Sequence, residues 1–442
     1  MKTIINIYTF ILVALFLNVP SYAQLEVSAE IRPRGEFRRG YKSLVTEAEK
    51  DNPSVVFSQR TRLGVDYKSS IFKARVILQD VRVWGDESLY SSTGVFGDKG
   101  STDLYEAWLQ ISLYKDFMVK VGRQEWKYDD LRLLSNRNWN QRGITYDGVL
   151  LGLRNEKWQV DGGFSWNNEE ESLINEPYNP AKIRTLDFIY LKRNFNRGLS
   201  ASLIALTNGY QKNDTSMVIY LRGTYGANVW YEHDFLRLHG AGYYQNGKNN
   251  SGVNVSAYAF IAYAGFKFKN WTFGPGLEWF SGNDRLRNKT GEDKTDHFFD
   301  VLYGARHRYY GYMDYFNNMK KATGGSGLID AYFKIDKTFL DKHNIELSWH
   351  YFALENHYQV EELPGQYRNL DPYLASEADL VYTYTMNKWF NMNVGYSIFL
   401  PNSTIETING LSEGSSVTGH WAWVMLTFKP VIFNSDLYVT KK

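Results

Sequence analysis

Arginine is the residue type in this chain best equipped for chemistry. Sixteen of the 23 arginines fall before residue 200. Nine of them, Arg32, Arg34, Arg38, Arg60, Arg62, Arg75, Arg82, Arg123 and Arg154, lie in stretches that read as β-strands. A guanidinium stays charged at physiological pH, and its planar fork pairs with carboxylates. Two uses follow. The arginines can line a path that attracts carboxylate-bearing solutes without holding them, or they can pair with the chain's own acids, among them Glu26, Glu30, Glu36, Asp66, Asp80 and Asp147. Both can hold, because arginines fixed by acids make a rigid lining. The formal net charge is only +2, so selectivity has to come from local placement.

The strands that must carry these side chains are clearest between Asp103 and Asn167. Successive β side chains alternate faces, which puts Tyr105, Ala107, Leu109, Ile111 and Leu113 on one side and Glu106, Trp108, Gln110 and Ser112 on the other. After Tyr114-Lys115-Asp116 the chain returns through Phe117, Val119 and Val121, until the polar run Arg123-Gln124-Glu125 breaks the phase. Trp158 and Trp166 share a face eight residues apart, about 20 Å of height on a strand tilted by about 40°, which matches an apolar band edged by aromatic girdles. At the start of the mature chain Leu25, Val27, Ala29 and Ile31 oppose Glu26, Ser28, Glu30, Arg32, Arg34, Glu36 and Arg38. Gln79 and Asp80 suggest a bulge that switches phase.

Met1 to Ala23 has the pattern of a secretory signal peptide: Lys2, an apolar run from Ile4 to Leu17, and small residues at Ser21 and Ala23. With no cysteine, neither a lipid anchor nor a disulfide is available. Export makes nucleic-acid binding a poor hypothesis. Beyond the leader no apolar run reaches the roughly 20 residues of a spanning helix. Aromatics make up 16% of a chain in which 22% of residues are charged, which a barrel with a polar interior and an aromatic exterior reconciles.

The same criteria place eighteen strands, near 25–38, 54–68, 71–84, 103–113, 117–127, 143–154, 157–167, 182–192, 199–208, 216–231, 236–246, 253–268, 270–281, 327–338, 344–354, 377–386, 389–400 and 418–428. Their connections alternate strictly between short and long, as in barrels with short periplasmic turns and long extracellular loops. The expected fold is therefore all-β: a transmembrane antiparallel β-barrel of about eighteen strands in the outer membrane of a Gram-negative bacterium. The divisions are a signal peptide over 1–23, the barrel over 24–430, where Pro430 ends the last strand, and a periplasmic tail over 431–442. Arg132, Arg137 and Arg142 fall in a loop at the outer mouth, as do His307 and Asp314 in the longest loop, 282–326. The aromatic content of that loop argues for packing into the mouth rather than disorder. His297 and His307 lie near Asp296, Asp300 and Asp314, but without metal-ligand spacing. No catalytic triad, phosphate loop or glycosidase-like carboxylate pair stands out, so neither catalytic residue, metal nor cofactor is expected.

Five segments together resemble the alginate export family of outer-membrane porins: Arg62-Leu63-Gly64-Val65-Asp66-Tyr67, Leu78-Gln79-Asp80-Val81-Arg82-Val83-Trp84-Gly85, Val121-Gly122-Arg123-Gln124, Tyr146-Asp147-Gly148-Val149, and His307-Arg308-Tyr309-Tyr310-Gly311-Tyr312-Met313-Asp314-Tyr315-Phe316. The resemblance implies a monomeric barrel of eighteen strands that passes an anionic uronic-acid polysaccharide through an arginine-rich lumen. Its partners would be outer-membrane lipid, the anionic polysaccharide or oligosaccharide, and export or uptake components in the periplasm. Trp108, on the lumen face, is a candidate for stacking on sugar rings. The competing readings are an uptake porin for small anionic or sugar nutrients, an outer-membrane enzyme that uses His297 or His307, and an adhesive barrel with a plugged lumen.

Overall fold

The computed structural model describes residues 23–85 and 102–435. Residues 1–22, where the leader is expected, lie outside them. The described chain is a meander of eighteen strands. In chain order these are β1 (Gln24–Arg39), β2 (Ser54–Lys68), β3 (Phe72–Val83), β4 (Asp103–Tyr114), β5 (Phe117–Gln124), β6 (Tyr146–Arg154), β7 (Trp158–Trp166), β8 (Ile183–Asn194) and β9 (Leu199–Gln211). There follow β10 (Ile219–Glu232), β11 (Leu236–Lys248), β12 (Asn254–Phe268), β13 (Trp271–Phe280), β14 (Leu328–Phe339), β15 (His343–Ala353), β16 (Tyr373–Asn387), β17 (Phe390–Pro401) and β18 (Gly419–Phe428). Each pairs antiparallel with the next, and β18 pairs with β1, so the sheet closes. Closure leaves no strand edge open to lipid. No helix among the described residues is long and apolar enough to cross a membrane.

The seam departs from expectation. Beyond Phe428 the chain breaks at Lys429-Pro430 and resumes pairing over Val431–Asn434, against Glu26, Val27 and Ser28 of β1. Proline has no N–H to give the ladder, and the register shifts between Val27 and Ser28. The Pro430 carbonyl still accepts the Ala29 amide at 3.1 Å. The first four residues of the expected tail therefore belong to the sheet.

Alternation sorts the wall as expected. Ile31, Leu63, Val65, Leu109 and Val121 are exposed outward, while Glu30, Arg32, Arg34, Glu36 and Arg60 are buried inward. Three expectations fail for reasons of phase. The β2–β3 register runs unbroken from Ser58↔Val83 to Lys68↔Lys73, so the switch expected at Gln79-Asp80 is absent there. Asp80 and Arg82 stay on the outward face with Val76 and Leu78. Arg123 likewise shares the outward face of Val121, because Gln124 is the residue buried inside. Tyr105, expected to face lipid, is the extra residue of a bulge where the β3–β4 register shifts between Ile77 and Leu78. Its side chain turns into the lumen and is 3% exposed.

The core lies inside the barrel. Loops 125–145 and 281–327 fold inward and contribute Trp126, Leu134, Phe299, Met313 and Phe316, each at most 1% exposed. Burying each such side chain contributes about 1.5–3 kcal/mol. The two loops are stitched together by the Tyr303 amide on the Leu133 carbonyl (3.0 Å) and the Ala305 amide on the Leu131 carbonyl (2.9 Å).

Candidate functional site

Where the two inner loops meet β1, they leave a cavity of about 620 Å³. Arg32, Arg34 and Arg38 reach it from β1, Lys127 and Arg137 from the first inner loop, Arg306 and Arg308 from the second, and Lys42 from the β1–β2 connection. Asp314 is the one carboxylate among its described lining residues.

How these cations are held matters as much as their number. Arg32 donates to the Asn138 carbonyl (2.7 Å) and to Oε1 of Gln141 (2.8 Å). Arg137 donates to the carbonyls of Gly304 (3.0 Å) and Leu302 (2.9 Å), and Arg306 to those of Asn317 (2.7 Å) and Leu302 (3.0 Å). Neutral oxygens accept these N–H groups and leave the charge uncancelled. Arg34 and Arg38 share a single acid, Glu36, at 2.9 and 3.0 Å. Lys127 is cancelled by Glu125 at 2.7 Å, and the remaining cations leave the cavity a positive surplus.

Asp314 is clamped by Nδ1 of His307 (2.8 Å), by the Tyr41 hydroxyl (2.6 Å) and, at 3.7 Å, by Lys42. Burial alone would raise its pKa, but His307, Tyr41 and Lys42 together hold it below the ordinary value. Trp139 is covered on both faces, by the His307 ring at 3.9 Å and the Arg34 guanidinium at 4.4 Å. Trp108 has Lys120 over its ring at 4.0 Å, and its Nε1 donates to Glu106. Trp139 therefore offers no open face to a sugar, and Lys120 occupies one face of Trp108.

The other expected arginines divide cleanly. Arg60 is 1% exposed and bound to Glu30 and to Oδ1 of Asn138. Arg62 lies 3.5 Å above the Tyr105 ring and donates to Gln79. Arg75 pairs with Asp66 and Glu106, and Arg154 with Asp161. On the outer face Arg82 pairs with Asp80, and Arg123 with Asp147. Arg132 is not at the mouth: it is buried, bound to Asp130 (2.8 Å) and Glu278 (2.6 Å), with Tyr309 3.5 Å beneath it. Arg137, His307 and Asp314 also sit in the interior cavity, and of the loop residues expected at the mouth only Arg142 has an exposed side chain. Lys42, Lys127, Arg306 and Arg308 were missed, because segments without periodicity give no sign of pointing inward. The one available signal was the position of Arg306 and Arg308 on either side of His307.

Two further cavities flank the basic one. Toward the long-loop end, a cavity of about 580 Å³ shares Lys42, Arg306, Asp314 and Asn317 with it. Toward the short-turn end, a chamber of about 470 Å³ shares Arg308 and Tyr312. The turn that separates the two lower spaces hangs on β16: the Met313 amide donates to Glu377 (2.6 Å) and the Tyr312 amide to Asp379 (3.3 Å). Gly311, at φ +79°, would place a Cβ 2.3 Å from Oε2 of Glu377. Gly311→Ala is expected to cost about 1–3 kcal/mol of local strain, read as faster proteolysis of loop 281–327 in the folded barrel.

A closed eighteen-strand barrel with an apolar exterior and a polar, cavity-bearing interior is an outer-membrane porin. Solved porins share the fold. OpdK of Pseudomonas aeruginosa, solved with vanillate, aligns at TM-score 0.59 and 11% identity over 92% of this chain and 98% of its own. OccK9 (OpdG) of the same organism aligns at 0.57 and 12% over 92% and 98%. OccAB1 of Acinetobacter baumannii aligns at 0.57 and 13% over 92% and 96%. A search of curated proteins returns no match. The alginate export family matches residues 23–416, and the chain belongs to that family. Family and fold are those of a channel rather than an enzyme.

Proposed function

We propose that this porin passes anionic saccharides, alginate-like polyuronates or their oligomers, along the series of interior cavities. The observation that carries the reading is the basic cavity, whose Arg32, Arg137 and Arg306 are held by carbonyl and amide oxygens and so keep their charge for a passing carboxylate. The solved structure of OpdK with vanillate, an aromatic carboxylate, supports the same ligand chemistry for a barrel of this shape. A cavity of about 620 Å³ falls within the range of small-ligand sites, about 300–1,000 Å³, which favours short oligomers in single file. Outer-membrane lipid surrounds the barrel, and the functional unit is a monomer served by export or uptake components in the periplasm.

In a planar bilayer under a potassium chloride gradient, the reversal potential is expected to show preference for chloride. Equal permeability to chloride and potassium would sink the reading. A deletion strain then separates direction: loss of secreted polymer means export, whereas loss of growth on the oligomer means uptake.

A further inference from the structure

Strand registers place six lumen-facing residues in one unbroken cross-strand row: Trp230↔His239, His239↔Tyr263, Tyr263↔Gly276, Gly276↔Tyr332 and Tyr332↔His350. All six strands, β10 to β15, are consecutive. Barrel strands tilt by about 40°, so a row perpendicular to them climbs the wall as a ramp. Trp230 lies two residues from the short-turn end of β10, and Tyr332 seven from that end of β14. The ramp thus rises from the periplasmic rim towards mid-height.

Its middle is built to lay rings flat. Gly276 stands between the two tyrosines, and a Cβ there would meet Cζ of Tyr332 at 2.1 Å. A Cβ on Gly265 would meet the Tyr263 hydroxyl at 2.7 Å. Each tyrosine therefore lies over a glycine rather than standing off the wall. The two rings are 6.4 Å apart and within 12° of parallel, and the His350 ring continues the series 5.3 Å from Tyr332. Both tyrosines keep partial exposure and line the chamber of about 470 Å³ beneath the basic cavity. Trp230, by contrast, gives one face to His239 at 5.0 Å.

The cations of this chamber are largely cancelled. Arg132 is paired with Asp130 and Glu278, Arg237 with Glu232, and Lys334 with Glu346. A charged cavity lies above and a nearly neutral aromatic wall below. A pyranose presents a face of C–H groups with partial positive charge, which the negative face of an aromatic ring attracts.

We infer that Tyr263 and Tyr332 form a second saccharide subsite, which binds sugar rings by their faces and takes uncharged as well as uronic units. The inference builds on the proposed passage of saccharides, but stacking requires no charge on the ligand. It is therefore tested with a neutral probe. Maltohexaose added on the periplasmic side of the barrel in a planar bilayer is expected to interrupt the ion current. Tyr332→Ala or Tyr263→Ala should weaken that block about tenfold, the order expected for loss of one stacking ring. Tyr332→Phe should retain it, because the ring and not the hydroxyl does the binding. A barrel that maltohexaose does not block, a Tyr332→Ala variant blocked as strongly as wild type at equal open-channel conductance, or a Tyr332→Phe variant as weak as Tyr332→Ala would each overturn the subsite. Failure of chloride selectivity would overturn the basic-cavity reading and leave this one standing, so the two fail separately.

Discussion

Arg38→Ser combined with Arg308→Ser is expected to lower the chloride-to-potassium permeability ratio about fivefold or more, while the barrel stays folded. Arg308 has an exposed side chain in the basic cavity, and Arg38 shares Glu36 with Arg34, which remains to pair with that acid. Neither change strands a buried partner. A unit charge roughly 8 Å from a passing anion contributes about 0.5–2 kcal/mol, for effective dielectric constants of about 80 to 20. Two such charges exceed the 1.4 kcal/mol that makes a factor of ten at all but the wettest limit. The reversal potential measures the ratio, and raising the salt should shrink the difference as the charges are screened. An unchanged ratio would show that the current bypasses this cavity. The informative control is Arg75→Ser combined with Asp66→Asn, which removes a paired cation and acid together, leaves the net charge unchanged and should barely move the ratio.

The larger structural effect is expected at Arg132. Its guanidinium joins loop 125–145 to Glu278 of β13 and rests on Tyr309 of loop 281–327, so one side chain holds both inner loops to the wall. The side chains of Arg132 and Glu278 are 4% and 2% exposed. Removing one partner of so buried a pair strands the other and costs about 3–5 kcal/mol. Arg132→Ala should therefore lower the thermal midpoint of the folded barrel and raise open-channel conductance, because the loops lose their anchor before the sheet does. Adding Glu278→Gln should recover part of the stability, since the stranded charge is then gone. Wild-type conductance in Arg132→Ala would mean that the loop core alone keeps the lumen narrow.

Much of the wall was legible in the chain because alternation with period two is a local signal. Eighteen strands, their order and the short and long connections follow from runs such as Leu25 to Ile31 and Phe117 to Val121. Local signals failed where phase depends on a neighbour. Tyr105 turns inward through a bulge that only its pairing with β3 reveals. Arg82 and Arg123 look like lumen residues by type, yet parity keeps them outside with Val76 and Val121. The basic cavity was legible only in part: Arg32, Arg34 and Arg38 announce themselves by alternation, but Arg306, Arg308 and Lys127 come from loops whose inward course is set by contacts far along the chain. The stitch between Leu133 and Tyr303 is one such contact. The acids expected to fix arginines do so at Glu30, Glu36, Asp66, Asp80 and Asp147. Glu36 serves Arg34 and Arg38 at once and so leaves one positive charge over, whereas the partners of the other four are not the charges left free to attract a solute.

The seam at Pro430 bears on how the molecule comes to exist. Bonds there join residues as far apart as Leu25 and Ser435, 410 positions along the chain. Contacts of such separation form late and slowly, because so much chain entropy has to be lost before they contribute. The inner loops hang from the long-loop rim, joining Gln124 to Tyr146 and Phe280 to Leu328, so the sheet itself has to wait for its first and last strands to meet. Zipping past the proline, down to Glu26 and Asn434, then completes the wall, and the seam acts as the clasp of assembly.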